Sequence, residues 1–80
     1  MYLKAEGFDN AIIGICTLSK RIIYDRQKML EIVMQDLNYI DAMDHLEFNV
    51  WNAYVGEYTP IYVNVMDIKG IEEFIRYENE

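Results

Sequence analysis

Lysine and arginine are absent from residues 29–68, a stretch of forty residues that carries seven acids: Glu31, Asp36, Asp41, Asp44, Glu47, Glu57 and Asp67. The bases are concentrated elsewhere, with Lys20, Arg21, Arg26 and Lys28 in one short segment. Seven bases against fourteen acids leave a net charge of −7. Such a chain lacks the clustered cations that tracking a phosphate backbone requires, which argues against direct nucleic-acid binding. The asymmetry divides the protein into an acidic face and a minor basic edge. It points to a basic protein partner, or to a second copy with complementary charge.

Other scarcities exclude further classes. One cysteine, Cys16, excludes an intrachain disulfide, and the expected compartment is a reducing cytoplasm. Cys16 ends the apolar run Ala11-Ile12-Ile13-Gly14-Ile15-Cys16, which predicts a thiol buried as a small hydrophobe. No apolar run approaches the ~20 residues of a membrane span. Lys4, Glu6 and Asp9 interrupt the start of the chain, so no signal peptide and no membrane partner are expected. The single proline and four scattered glycines exclude both a low-complexity chain and a glycine-rich phosphate loop. Ser19 is the only serine and falls in a turn, and Cys16 has no sequence-signalled base. Nucleophilic catalysis therefore has little support, and no cofactor is expected.

What remains is a chain of 80 residues, 52% apolar, which reads as one domain over 1–80 with a mixed leader at 1–10 and a frayed tail at 78–80. Seven Tyr, three Phe and one Trp are many for a domain that buries so modest a share of its surface. Some rings belong on the surface or in an interface, so self-association as a dimer is expected.

The pattern reads in the order β-β-α-α-β-α. A short strand is conceivable at Tyr2-Leu3-Lys4. Residues 11–17 are apolar and β-branched, Leu18-Ser19-Lys20 turns, and 21–24 returns as the second strand of a hairpin. Gly14 within the first strand suggests a bulge or a close backbone approach. Asp25 is placed to cap a helix with the stripe Met29, Leu30, Val33 and Leu37, widened by Ile32 and Met34. Asn38 ends it and opens another, with Asp41 in the capping-box position. That second helix is expected to run to about Tyr54, to bury Tyr39, Met43, Leu46, Val50 and Ala53 or Tyr54, and to end at Gly56. After Pro60, residues 61–66 alternate as a strand. Asp67 can cap a last helix over 68–77 with Ile68, Ile71, Phe74 and Ile75 facing inward, Gly70 weakening its first turn. The expected class is α+β: a small antiparallel sheet with helices packed on one face.

The second helix carries the candidate chemistry. Asp41, His45 and Asn49 recur every four residues along one face, flanked by Asp44 and Glu47. A carboxylate beside an imidazole can hold a divalent metal or act as an acid–base pair. With no further histidine and no cysteine cluster, three or four ligands do not converge, so no metal is expected. Phe48, Trp51, Tyr54 and Val55 surround nearly the whole circumference of that helix. They either fill the core or form an aromatic interface. The acids likewise read as a solubilising surface or as an imitation of a phosphate track that would block a basic groove.

Longer segments resemble a known family. These are Phe8-Asp9-Asn10-Ala11-Ile12-Ile13-Gly14-Ile15, Ile23-Tyr24-Asp25, Lys28-Met29-Leu30-Glu31-Ile32, Tyr39-Ile40-Asp41-Ala42-Met43, Glu47-Phe48-Asn49-Val50, Ala53-Tyr54-Val55-Gly56-Glu57 and Thr59-Pro60-Ile61. From about Phe8 to Val63 the chain resembles small uncharacterised proteins of tailed bacteriophages and prophages. The Glu-Phe-Asn helix and the Tyr-Val-Gly-Glu-x-Thr-Pro ending carry most of the likeness. The resemblance implies a phage source and the host bacterial cytoplasm, but no mechanism, because the family has no assigned activity. Glu47, Asn49, Glu57 and Thr59 match its pattern and are polar, so the resemblance implies that a site would use them.

The expected function is a non-enzymatic phage protein acting by protein–protein contact, such as inhibition of a host enzyme of nucleic-acid-directed defence. Its interaction residues are expected among Asp41, Asp44, His45, Glu47, Asn49, Trp51, Tyr54, Glu57 and Thr59. One alternative is a homodimeric structural or assembly protein. Another is a metal-assisted hydrolase using Asp41, His45 and Glu47.

Overall fold

The computed structural model describes residues 2–78. The hairpin forms where the β-branched runs lie: β1 (Ile12–Ile15) pairs antiparallel with β2 (Ile22–Asp25). The register slips between Ile12 and Gly14, so the bulge that Gly14 suggested is present. A single 3₁₀ turn over Asp9–Ala11 leads into β1, and Tyr2-Leu3-Lys4 is irregular rather than a strand.

β2 passes into α1 (Arg26–Val33) without a loop, because Asp25 is at once the last strand residue and the helix cap. Its carboxylate accepts from the amides of Gln27 and Lys28, which satisfies two of the donors a helix start leaves open. Asn38 repeats the device for α2 (Tyr39–Leu46), its Oδ1 accepting the Asp41 amide at 2.9 Å. Asp67 does so again for α3 (Ile68–Glu78), accepting the Gly70 amide at 2.8 Å.

The strand and helix order is the expected one and the class is α+β, but the sheet is mixed. Its strand order is β1-β2-β3, and β3 (Ile61–Val63) lies parallel to β2. The reason is topological: α1 and α2 form a crossover that returns the chain to the same end of the sheet, and such a return makes neighbouring strands parallel. β3 is also shorter than the 61–66 alternation implied.

The core lies on one sheet face. Ile22 and Tyr24 point into it from β2, Met29 from α1, Leu46 from α2, and Phe8 and Ala11 from the entry segment. Tyr24, Met29 and Leu46 are fully buried, each stabilising by about 1.5–3 kcal/mol on the area scale. The Tyr24 ring meets that of Tyr62 at 5.7 Å, so β3 contributes to the same face.

Five expectations about helix ends and packing are overturned. The buried line of α2 is Ala42 and Leu46, continued by half-buried Val50, while Tyr39 is exposed. The helix is apolar on several sides, and Ala42 and Leu46 rather than Tyr39 are the residues turned to the core. α2 also ends earlier than Tyr54. It gives way to a π-helical turn over Glu47–Trp51, and the Asn52 side chain donates to the Glu47 carbonyl at 2.9 Å, closing the helix. Gly56 falls in the following loop at φ +114, not at a helix end.

α3 does not face inward: Ile68, Ile71, Phe74 and Ile75 are 70%, 40%, 47% and 53% exposed, and none of its residues is buried. The core face of the sheet is already occupied by α1 and α2. The radius of gyration is 13.6 Å, above the roughly 12 Å of a compact chain this long. Cys16 is not buried either. It ends the strand at the hairpin turn, half-exposed, and its Sγ accepts the Ser19 amide at 3.5 Å. Glu78 closes α3, and the rest of the tail expected to fray, 79–80, lies outside the described residues.

Candidate functional site

The capped start of α2 fixes which way its side chains point. With Ala42 and Leu46 in the core, the opposite side presents Ile40, Asp44 and Phe48 at successive turns. Ile40 is 74% exposed and Phe48 80%. Asp41 and His45 lie beside them, both exposed. The Asp41–His45–Asn49 line is brought together only in its second half: His45 Nδ1 lies 3.4 Å from Asn49 Nδ2. Among the described residues, no three of His, Cys, Asp and Glu gather as metal ligands would. All seven acids of the base-free stretch are exposed.

The aromatic group of that helix divides. Phe48, Tyr54 and Val55 stand in solvent. Trp51 turns inward, half-buried, and donates its indole N–H to the Met29 sulfur at 3.5 Å. The Arg26 guanidinium lies over the Trp51 ring, 4.0 Å from its centre, a cation–π contact worth about 0.5–2 kcal/mol depending on how dry it is.

Trp51 and Thr59 belong to a second structure, an open pocket of about 510 Å³ between the start of β2, the start of α1, the π-helical turn and β3. Arg21, Arg26, Glu47, Trp51, Asn52 and Thr59 line it. Arg21 is held there by donating its Nε–H to the Thr59 carbonyl. Thr59 is fixed in turn: its hydroxyl donates to the Gly56 carbonyl at 2.6 Å and accepts the Val55 amide at 2.9 Å. The Nε of Arg26 is sealed from solvent and has no acceptor in the protein. Neither arginine forms an ion pair within 4 Å; among the described residues the one such pair is Lys4–Asp9.

Three of the residues expected to act together, Glu47, Trp51 and Thr59, are thus gathered in this pocket. Asn49 instead borders a separate, mostly apolar groove of about 410 Å³ with Leu3, Phe8, Val50 and Tyr62. Asp41, Asp44, His45, Tyr54 and Glu57 are exposed and line neither. Arg21, Arg26 and Asn52 were not among the expected site residues. The cluster Lys20, Arg21, Arg26 and Lys28 was the available signal, but its charges were read as an edge rather than as the wall of a pocket. No helix among the described residues is long and apolar enough to cross a membrane.

Compared with family models, with characterised proteins and with solved structures, the chain finds no match.

Proposed function

We propose that this protein works without catalysis, by binding another protein through the outer face of α2. The observation that carries the reading is the triplet Ile40, Asp44 and Phe48: two large apolar side chains in solvent with a carboxylate between them. Neither contributes to the domain's own core. Exposed apolar anchors beside charge are the composition of a recognition surface. The Asp41 carboxylate beside them favours a basic partner. With the phage resemblance, the partner fits a basic groove on a host enzyme in the bacterial cytoplasm, including one directed at nucleic acid.

The test is capture from host lysate, comparing the natural protein with Ile40→Ser/Phe48→Ser and with Asp41→Lys/Asp44→Lys. A stoichiometric basic enzyme retained by the natural protein and lost by both variants is the expected result. Capture of nothing, or of the same proteins by all three, overturns the reading.

A second reading, a homodimer, is favoured by α3. Its face of Ile68, Ile71, Phe74 and Ile75 is uncovered and its other sides carry Lys69, Glu72, Glu73 and Arg76. Sedimentation at tens of micromolar tests it. A dimer that Phe74→Ser converts to monomer is expected from this face, and a monomeric natural protein removes the reading.

A further inference from the structure

We propose that the pocket between β2, α1 and the π-helical turn binds the phosphate group of a small molecule. This site is separate from the outer face of α2 and does not depend on the partner reading. Four observations meet there.

The first is charge. Arg21 and Arg26 both line the pocket, in a protein with only seven bases among eighty residues. Neither charge is neutralised by a carboxylate within ion-pair distance among the described residues. An unneutralised pair of guanidinium groups in one concavity is stabilised when an oxyanion joins it, since charge-assisted hydrogen bonds are the strong ones.

The second is preorganisation. Arg21 is anchored through its Nε to the Thr59 carbonyl. Among the described residues its two Nη groups meet no protein acceptor, which leaves them as a fork of donors. The Arg26 guanidinium sits over the Trp51 ring, its Cζ 4.0 Å from the ring centre. The indole itself is fixed by its bond to the Met29 sulfur. Guanidinium groups held by stacking and by a carbonyl, rather than by acids, keep their oxyanion-binding edge available. Little rotamer freedom is then left to lose on binding.

The third is size. About 510 Å³ is within the ~300–1,000 Å³ range of small-molecule sites, and exceeds what an inorganic ion fills.

The fourth is the remainder of the lining. Glu47 shares the pocket without pairing to either arginine. A carboxylate there disfavours a bare anion and accepts a hydroxyl or amino group from the ligand. Asn52 donates one amide hydrogen to the Glu47 carbonyl, which leaves its second N–H and its carbonyl oxygen for a ligand. The lining fits a phosphate at the arginines and a hydroxylated body toward Glu47 and Asn52, as in a phosphorylated polyol.

The experiment is an NMR titration of the whole chain with inorganic phosphate, with glycerol 3-phosphate, and with sodium chloride at matched ionic strength. The indole N–H of Trp51 and the side chains of Arg21 and Arg26 are the reporters. Expected are saturable shifts at these residues with both phosphates, tighter for glycerol 3-phosphate, and none with chloride. Arg26→Lys, which keeps the charge and loses the fork, and Arg21→Gln should each weaken binding roughly tenfold or more. Glu47→Gln should tighten inorganic phosphate while removing the advantage of glycerol 3-phosphate. Shifts that never saturate, shifts equal to those in chloride, or affinities unchanged in both arginine variants overturn the proposal. Comparing the spectra of the unliganded variants with that of the natural protein separates loss of the site from loss of the fold.

Discussion

The hydroxyl of Tyr24 accepts the backbone amide of Ala5 at 2.8 Å. Through this bond the central strand holds the entry segment over the core, nineteen positions away in sequence. Tyr24 is fully buried and Ala5 half-buried, so the interaction is partly shielded from water and its loss leaves the Ala5 amide without its acceptor. Tyr24→Phe should destabilise the protein by about 1–2 kcal/mol, the cost of an orphaned amide plus a lost hydrogen bond. Urea unfolding checks the magnitude. Amide exchange should localise the loosening to the residues before Phe8.

The caps give a graded series. Asp25 accepts from two amides, whereas Asn38 accepts from one. Asp25→Ala and Asn38→Ala should each cost about 1 kcal/mol, with Asp25→Ala the larger. Thermal unfolding followed by circular dichroism measures both. Asp25 pairs across the sheet with Val63, so its loss should also loosen the end of β3.

Packing predicts a sharp contrast between neighbours. Leu46 is fully buried and Phe48, two residues on, is 80% exposed. Leu46→Ala should cost about 2–5 kcal/mol. Phe48→Ser should stay within roughly 0.5 kcal/mol of the natural protein while removing partner capture. If chemical denaturation finds Phe48→Ser strongly destabilised, its ring serves the fold and not a partner.

Cys16 offers a pH-dependent readout. Hydrogen bonding from Ser19, then from the Leu18 backbone, holds its thiol below the ordinary value, with Arg21 adding to the same direction. The thiolate is therefore more populated at neutral pH than in a free thiol, and alkylation should be correspondingly faster. The midpoint of the alkylation rate against pH should lie below that of a model thiol. Unfolding in urea, which breaks the Ser19 amide bond to Sγ, should return it to the value of a free thiol.

Much of the fold was legible because local rules and tertiary demands coincide. Asp25, Asn38 and Asp67 cap the helices they were expected to cap. Gly14 marks the bulge, and the element order follows from the alternation of patterns. The failures have different physical causes. Where a segment is apolar on several sides, periodicity does not say which side meets the core. In α2 the choice fell on small Ala42 rather than Tyr39. In α3 the apolar stripe is clear, yet none of the other described elements covers it. The early end of α2 depends on the Asn52 side chain reaching back to the Glu47 carbonyl, which no spacing rule reveals. At the site, the exposure of Asp41, Asp44 and Glu57 follows from their charge. The union of Arg21 and Arg26 with Trp51 does not, because it joins segments brought together only by the crossover between β2 and β3.

Both rims of the sheet resist propagation. On one side β1 is four residues long and broken by the slip at Ile12/Gly14; on the other β3 has three residues and follows Pro60. A flat, uninterrupted rim would template the next chain and seed fibres, more so in a segment as rich in isoleucine as β1. The kinked and truncated rims deny that template. The apolar side chains exposed on the helices are therefore not joined to an open strand rim that could turn a contact between copies into an endless stack.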